Sequence, residues 1–361
     1  MRTRSQSAIN SILGWLARAQ DHGTDDGFAS HYHRISGWSP SYPEVTGYLI
    51  QTLFRYAQEN NESMLRMRLL RAADWLMSIQ MSNGAFQGRL IGDKPVTPVV
   101  FNTGMIVFGL VDAYRASKQA KYLDAAVRAA DWLVSVQDPD GAWRKFLTLN
   151  GTGEAHIYKT KVTRALLEMH KETGNGRYKE AAKNNLAWSL RQQESSGWFR
   201  YNALRCEENH MPLLHFVAYT IEGILDSGLY LEDDRLIRSA YRAAAGLLAS
   251  QNQHGGLFAL YGSRWEPKSH WRCPVGCAQT AIIYMRLHEM YPLEGFSDGA
   301  SRSLDYVSSL IVTGGENDGG IPGSDPISGS YMPDCYLSWA AKFYLDALLL
   351  EKKSKLLAGG V

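Results

Sequence analysis

The chain has 361 residues, a hydrophobic fraction of 45% and a formal net charge of +2 at pH 7. Because there is no basic surplus to bind a phosphate backbone, we expect no nucleic-acid partner. No stretch approaches the roughly 18 apolar residues of a membrane-spanning helix, so we expect no membrane span. Four cysteines are too few for a disulfide framework in a chain of this length, which favours a cytoplasmic protein with reduced thiols.

Six similar segments recur along the chain and predict its architecture. The clearest pair is RAADWLMSIQ, which ends at Gln80, and RAADWLVSVQ, which ends at Gln137. The other copies end at Gln20, Gln193, Gln251 and, in a degenerate form, at Ile311. Apolar residues recur in each copy at helical spacing, and the glycines that follow each end stop the helix. One register holds Trp15, Trp75, Trp132, Trp188, Gly246 and Tyr306.

A second and more apolar set of helices is predicted between these copies. They begin near Val45, Asn102, Thr160, Leu213, Val275 and Cys335. Helices that are apolar nearly all round are buried, and their small residues, such as Gly47, allow close approach. Six pairs of one half-buried and one buried helix predict an all-α fold, an (α/α)6 toroid that forms one domain over 1–361. The alternative is an open α-solenoid, which requires capping repeats that a closed ring does not need.

The repeated glutamine, followed after a short turn by glycine and an aromatic residue, resembles the superfamily of α/α toroids. This superfamily includes terpenoid cyclases, protein prenyltransferases, uronyl lyases, glucuronyl C5-epimerases and several glycoside hydrolases. The segments SYPEVTGY (41–48), HFVAYTIEGIL (215–225) and YLSWAAKFYLDAL (336–348) are similar to bacterial toroid proteins associated with surface-polysaccharide biosynthesis. The resemblance implies the fold and a glycan context, but a shared fold does not fix the chemistry.

Long loops precede the buried helices, and the resemblance implies that they line the mouth of a central cleft. Loops of such length are usually functional or disordered, and their aromatic content argues against disorder. The predicted substrate-binding residues are His31, His33, Trp38, Tyr48, Asn102, His156, Lys161, His215, Trp271 and Arg272. Arginine forks onto carboxylates and aromatic rings stack on sugars, so the mixture favours an acidic oligo- or polysaccharide. The alternative is that the aromatic rings pack between repeats and the charges are solvated surface.

The predicted catalytic residues are Tyr42, Glu44, Tyr158, His210 and Asp334. Glu44 and Asp334 each follow a proline where a buried helix is predicted to begin, and the helix dipole stabilises a carboxylate there. They are either an acid and base pair across the ring or simple helix caps. A single histidine on a buried helix, such as His215, is either a ligand contact or a core residue.

Four functions stay open at this level. The first is a uronate lyase or C5-epimerase, with a Tyr or His base and with Arg272 or Lys161 as the cation that neutralises the substrate carboxylate. The second is a glycoside hydrolase that uses Glu44 and Asp334. The third is a non-catalytic toroid that binds a glycan or a partner, and the fourth is a terpenoid cyclase or prenyltransferase.

The cysteines and histidines give little support to a metal site. Cys273 and Cys277 lie one helical turn apart, but no second cysteine pair exists to complete a zinc site. We therefore expect neither a metal nor another cofactor. The sequence decides neither the sugar nor the oligomeric state.

Overall fold

The computed structural model describes residues 4–147 and 155–358, which hold twelve α-helices. The outer helices are α1 (Arg4–Asp21), α3 (Ser63–Ser78), α5 (Ala120–Ser135), α7 (Gly176–Leu190), α9 (Asp234–Ser250) and α11 (Phe296–Ser309). The inner helices are α2 (Pro43–Glu59), α4 (Val100–Ser117), α6 (Thr160–Thr173), α8 (Leu214–Leu231), α10 (Pro274–Met290) and α12 (Ser338–Ala358). In these ranges no helix has both the length and the apolar character needed to cross a membrane.

Short elements complete the described chain. Two single-turn 3-10 helices cover Ile157–Lys159 and Cys206–Glu208. The strands are β1 (His31–His33), β2 (Gly37–Trp38) and β3 (Cys335–Leu337), and they form one antiparallel sheet in the order β2-β1-β3. The strands are two or three residues long, so the described fold is helical in all but its connections.

The inner helices pack side by side in chain order, and α12 packs against α2. Helices α3, α5, α7, α9 and α11 each pack on the preceding inner helix, and α1 packs on α12. The closed ring of six helix pairs confirms the predicted (α/α)6 toroid over the open solenoid. Inner helices are buried on nearly every side, as α4 shows, with every residue from Val100 to Val111 buried.

Glycine lets two inner helices touch through their backbones. A Cβ atom at Gly109 would lie 2.4 Å from the carbonyl oxygen of Gly47, which is closer than real Cβ contacts allow. Helices α2 and α4 therefore pack in close contact, with Gly47 against Gly109 and Ile106. The two helices begin at the same end of the ring, where Asn102 on α4 donates to the Tyr42 hydroxyl beside α2.

The repeated glutamine joins neighbouring repeats through its side-chain amide. Gln137 Nε2 donates to the carbonyl oxygens of Gly141 in its own loop and of Ala181 on α7, each at 3.0 Å. Gln80 makes the matching bonds to Gly84 and Ala125, both at 2.9 Å. The same pattern recurs at Gln193 and Gln251.

The last repeat meets the first and closes the ring. In β1 and β3, His31 pairs with Leu337 and His33 pairs with Cys335. A Cβ atom at Gly319 would lie 2.1 Å from the carbonyl oxygen of Ser11 on α1, so the sixth loop seats on the first helix as other loops seat on the next one.

The predicted start of the last inner helix is wrong. Cys335–Leu337 forms strand β3, and α12 begins at Ser338. Asp334 has a left-handed φ of 56° before the strand, so it does not occupy the first turn of a helix. The apolar run continues into α12, but its first three residues, Cys335–Leu337, are extended because they pair with β1 where the ring closes.

We expect Gly141→Ala to destabilise the fold more than Gly92→Ala does. Both glycines have a φ above 90°, so both variants carry the cost of a left-handed backbone. Only at Gly141 would the new Cβ meet a backbone atom, the carbonyl oxygen of Asn184 at 2.3 Å. Urea unfolding should show a further loss of about 1–3 kcal/mol for Gly141→Ala. An equal loss of unfolding free energy in the two variants would show that the contact between this loop and α7 leaves room for a Cβ atom.

Candidate active site

Glu44 is the centre of a hydrogen-bonded chain where α2 and α4 begin. It follows Pro43 in the first turn of α2, and its side chain is buried. The hydroxyl of Tyr42 donates to Glu44 Oε2 at 2.9 Å. Asn102 Nδ2, on the first turn of α4, donates to the Tyr42 hydroxyl at 3.2 Å. The two helices therefore place Asn102, Tyr42 and Glu44 in series.

Burial makes the Glu44 carboxyl an unusually weak acid. Burial raises the pKa of Glu44 to about 7, although the hydrogen bond from Tyr42 opposes the shift. A carboxyl with this pKa is about half protonated near neutral pH, so it can both donate and accept a proton. The partner of Glu44 within the described residues is a phenol, and the capping role alone does not account for this arrangement.

Aromatic rings surround this chain. Tyr219 packs on Phe101 with ring centres 4.9 Å apart, and Tyr158 packs on the same ring at 5.2 Å. His215 lies 4.4 Å from Tyr219 and 6.1 Å from Tyr331. After the effect of burial, the charge of Glu44 is the next cause that raises the pKa of Tyr219. The rings and the carboxyl thus form one buried cluster at the start of the inner helices.

Several buried polar atoms of the cluster have no partner within the described residues. They are Asn102 Oδ1, the Tyr219 hydroxyl and Gln279 Nε2. Gln279 Oε1 lies 2.6 Å from His215 Nδ1, which fixes the orientation of that ring. Burial lowers the pKa of His215 to about 4, so the imidazole is neutral near pH 7. Buried polar groups left open in this way suit a ligand rich in hydroxyl groups.

The structure does not bring the other predicted carboxylate into this cluster. Asp334 is half-exposed and forms an ion pair with Arg34 at 3.1 Å. It lies before β3 at the rim because the predicted helical turn is absent. His210 is exposed on the loop before α8. Tyr158, in contrast, is buried beside Phe101 as part of the cluster.

The residues of the first loop mostly support its own structure. Ser30 Oγ lies 2.6 Å from His31 Nδ1, and burial followed by the charge of His33 lowers the pKa of His31 to about 4. His33 Nδ1 accepts from two backbone N–H groups of its own turn. Trp38 packs against Trp15 with ring centres 4.8 Å apart, which matches the packing alternative.

The remaining predicted residues divide between the cluster and the loops. Tyr48 is buried one turn after Glu44, and His156 Nδ1 donates to the carbonyl oxygen of Ala203 at 2.6 Å. Arg272 lies over the ring of Phe258 at 5.3 Å, and its backbone pairs with Asp325. Trp271 is half-buried beside it. Tyr48 and His156 belong with the buried rings, since His156 packs on Tyr158 with ring centres 5.7 Å apart, whereas Arg272 and Trp271 lie on the loops.

Lys161 points away from the predicted mouth. Its ammonium lies 2.6 Å from Glu222 Oε1 and 3.4 Å from Asp226 Oδ2. These partners line a cavity of about 930 Å³ at the carboxyl ends of the inner helices. In the described residues this open funnel lies opposite the end where the cleft was predicted, because rings and loops fill the predicted mouth. The prediction that Lys161 lies in the cleft at the starts of the inner helices is therefore wrong, because its ammonium lies in the cavity at their carboxyl ends.

Two features of these sites were missed from the sequence. Gln279 was read only as part of an apolar helix, although an amide in such a helix needs a buried partner. Glu222 with Asp226, and Lys342 with Asp346, are charged residues one turn apart on otherwise apolar inner helices. Buried charges require partners, so this spacing was the signal that could have located the opposite cavity.

Cys273, Cys277 and Cys335 are buried free thiols. Cys277 Sγ accepts from the backbone N–H of Leu257 at 3.3 Å. Burial raises the pKa of Cys273 to about 12 and also raises that of Cys277, so both stay protonated at neutral pH. Within residues 4–147 and 155–358 there is no group of three or more His, Cys, Asp or Glu side chains placed to hold a metal ion.

The ring of six helix pairs and the polar cluster at one end place the chain among the α/α-toroid proteins. A family model described as beta-L-arabinofuranosidase, GH127 catalytic domain, matches residues 3–281. The chain belongs to this family, and therefore to the carbohydrate-active enzymes. Among curated proteins, none matches the chain.

Solved structures share the fold over nearly the whole chain. An unsaturated glucuronyl hydrolase specific for heparin gives a TM-score of 0.78 at 17% identity and covers 98% of this chain and 97% of that one. An unsaturated glucuronyl hydrolase from a Bacillus species gives 0.77 at 18% identity, with 97% of each chain covered. Cellobiose 2-epimerase from Bacillus thermoamylovorans gives 0.79 at 13% identity, with 98% of this chain and 100% of that chain covered. At these identities the likeness shows the fold alone.

The raised pKa of Glu44 makes a prediction about stability. A carboxyl whose folded pKa lies above its unfolded value stabilises the fold when protonated, and this stabilisation is lost as pH rises through the folded pKa. Glu44→Gln keeps an acceptor for Tyr42 and cannot ionise. Its free energy of unfolding should therefore exceed that of the native chain at pH 8 by up to about 3 kcal/mol, with little difference at pH 4.5.

The control for this measurement is Glu59→Gln, at the exposed end of the same helix. Urea unfolding of the native chain and both variants at the two pH values gives the comparison. A Glu44→Gln difference that does not change with pH would show that Glu44 has an ordinary pKa.

Proposed function

We propose that the chain is a glycoside hydrolase in which Glu44 is the proton donor. The observation that carries the proposal is the buried Glu44 carboxyl, with its pKa raised to about 7 and the Tyr42 hydroxyl bonded to it. A general acid works best when its pKa lies near the working pH. Membership of a family described by a glycosidase supports the same chemistry.

The reaction needs one proton delivered and one recovered. The protonated Glu44 carboxyl gives its proton to the glycosidic oxygen, and the bond from the anomeric carbon to that oxygen breaks. Water then adds to the anomeric carbon, and the Glu44 carboxylate takes the proton that this water loses. Tyr42 donates to the carboxylate formed in between, and Asn102 fixes the Tyr42 hydroxyl. The sum is one glycoside and one water converted to one hemiacetal, the reducing sugar, and one alcohol.

Asp334 has a different place in this proposal from the one that its sequence position suggested. Its carboxylate forms the ion pair with Arg34 at the rim. A hydrolase with paired carboxylates would need Asp334 to leave that pair and approach Glu44. We therefore propose Glu44 as both acid and base.

We further propose that the substrate is an oligosaccharide containing a uronate. Two neighbours in fold are unsaturated glucuronyl hydrolases, and one of them is described as specific for heparin. Arg272 and Arg34 are the cations of the loops at this end that would meet a carboxylate. Arginine suits this role because its guanidinium binds a carboxylate through two parallel bonds.

A second candidate is proton abstraction beside a carboxylate, as in a C5-epimerase or a uronate lyase. The observation that favours it is His215, a neutral imidazole that lies against Tyr219 within the cluster. This chemistry also needs a cation beside the substrate carboxylate. Lys161 is bound to Glu222 and Asp226 toward the opposite end, so the hydrolase is the better supported of the two.

Replacement of the acid should abolish hydrolysis. Glu44→Gln removes the proton donor, and kcat should fall by about 10²- to 10⁴-fold while the binding of oligosaccharide persists. Glu59→Gln should keep native kcat. In the native enzyme kcat/KM should fall as pH rises above about 7, because the protonated form of Glu44 is lost. Native turnover by Glu44→Gln would remove Glu44 from the mechanism, and binding without turnover in every chain would indicate a non-catalytic toroid.

The hydroxyl of Tyr42 should set the position of this pH limit. Its hydrogen bond lowers the pKa of Glu44, so Tyr42→Phe should move the fall in kcat/KM to higher pH. Tyr32→Phe, outside this hydrogen-bonded chain, is the control. An unshifted profile in Tyr42→Phe would show that the phenol does not position the acid.

The substrate class is tested with matched oligosaccharides. Uronate-containing oligosaccharides should bind more tightly than neutral ones of equal length, and their binding should weaken as salt is raised. Calorimetry with the Glu44→Gln enzyme measures binding without turnover. Equal affinities for the uronate-containing and neutral oligosaccharides, independent of salt, would contradict the proposal of a uronate substrate but not the proposal of a glycoside hydrolase. Reaction in deuterated water separates the second candidate, since epimerisation places deuterium on carbon of an uncleaved sugar and hydrolysis does not.

A further inference from the structure

The funnel at the carboxyl ends of the inner helices is a second polar cavity of the ring. Its volume is about 930 Å³, and all six inner helices contribute to its wall. This volume lies in the upper part of the range of pockets that hold small molecules. The cavity is separate from the hydrolytic proposal, because Glu44 lies in the first turn of α2 and this wall begins at Gln51.

The charges of the wall are arranged by depth. Seven cationic and five acidic side chains line the cavity. Two of the acids are deeply buried, since Glu222 and Asp226 have 7% and 9% of their side-chain surface exposed. Two arginines are more exposed, Arg55 at 48% and Arg286 at 31%, although Arg55 lies 3.6 Å from Asp346 and Arg286 contacts Asp226. The surface that meets a ligand is therefore more positive than the sum of charges indicates.

The acids of the floor are already neutralised by cations. Lys161 bonds to Glu222 and Asp226, and Lys342 lies 2.8 Å from Asp346. Burial acts to raise the pKa of Glu222. The charges of Lys161 and then Lys342 act to lower it by more, so the net shift of the pKa is downward. Glu222 is therefore an ionised acceptor at the bottom of the cavity.

Arg115 is bound by Asp112, Glu168 and Glu172, and Arg286 contacts Asp226, but other guanidinium groups of the wall keep donors to spare. Arg55 reaches Asp346 only at 3.6 Å. Arg164 pairs with Glu168, and its Nη1 is buried with no partner within the described residues. Each guanidinium carries five N–H donors, so one ion pair leaves several of them available.

One acceptor at the floor is also open. Glu222 is 6% exposed, and its Oε2 atom is buried with no partner in the part of the chain that the structure describes. The carboxylate lines the cavity through this side chain. A ligand hydroxyl could donate to it, while an anionic group of the same ligand meets the arginines above.

We propose that this cavity is a binding site for a sugar-sized molecule that carries a phosphate group. The phosphate meets the guanidinium groups of Arg55, Arg66 and Arg164, and a hydroxyl of the sugar donates to Glu222. A phosphate has three terminal oxygens and matches several arginine forks at once, whereas a single carboxylate needs only one. The depth of the acids and the exposure of the arginines set the orientation of the ligand.

The probe is glucose 1-phosphate, and calorimetry compares it with glucose. Glucose 1-phosphate should bind and glucose should bind at least about tenfold more weakly, because it lacks the charge-assisted contacts. Binding should weaken as the ionic strength rises to about 0.15 M. Equal affinity for the two sugars, or no binding of the phosphate at low ionic strength, would overturn the proposal.

Variants place the site in the funnel. The double variant Arg55→Gln with Arg66→Gln should weaken glucose 1-phosphate by at least about tenfold. Arg235→Gln with Arg238→Gln removes the same charge from the outer helix α9 and should bind as the native chain does. If the first double variant fails to fold, Arg66→Gln alone on α3 should still weaken binding. Unchanged affinity in the folded Arg55 and Arg66 variants would overturn the assignment.

The Glu44→Gln enzyme separates this site from the hydrolytic one. It should bind glucose 1-phosphate with native affinity, because its substitution lies at the other end of the ring. Loss of this binding in Glu44→Gln would show that the phosphate occupies the hydrolytic cluster and would overturn the second site. Native hydrolysis by the same variant would instead contradict only the role of Glu44.

Discussion

The bond from the repeated glutamine amide to two carbonyl oxygens is the interaction on which the ring depends. One carbonyl belongs to the glycine of the same loop and the other to the next outer helix, as for Gln137 with Gly141 and Ala181. The glycine must then be bare, because a Cβ there would strike the backbone of the next helix. The four loops after Gln80, Gln137, Gln193 and Gln251 are thereby fixed to the repeats that follow them.

This regular seating gives the ring two unlike ends. At the starts of the inner helices, long loops, rings and the small sheet cover the axis and leave Glu44 buried. At the opposite end the inner helices stop without such cover, and charged side chains extend into an open funnel. Between them lie Phe343 and Tyr48, both near Lys342. The fold thus carries two chemical environments on one axis.

Much of the architecture could be predicted from the sequence because the repeat states it directly. The repeated glutamines, the glycines after them and the apolar second helices gave the six pairs and the closed ring. The sequence also indicated Glu44, since its place after Pro43 marks the start of a buried helix. The strand at Cys335 could not be found in this way, because its pairing partner lies about 300 residues earlier and its own pattern continues into a helix.

The site could be predicted only in part, because side-chain direction depends on packing. Lys161 begins an inner helix, but its ammonium extends along the axis to acids on α8. Gly246 is the exception in the register that otherwise holds Trp or Tyr. The structure explains this, because the indole of Trp265 fills the space that a side chain at position 246 would need. The cytoplasmic location stays a prediction.

The pairing of β1 with β3 has a consequence for the order of folding. His31–His33 leaves the ribosome early, and its partner Cys335–Leu337 is made only after five of the six helix pairs. Contacts this far apart in the chain are slow to form, because a long loop must close before they contribute. Until then α2 has no α12 beside it, and the apolar flank of α2 stays open to solvent. The growing chain is therefore an open, curved stack of helices with an exposed apolar surface that favours aggregation, and only its last helix covers this surface.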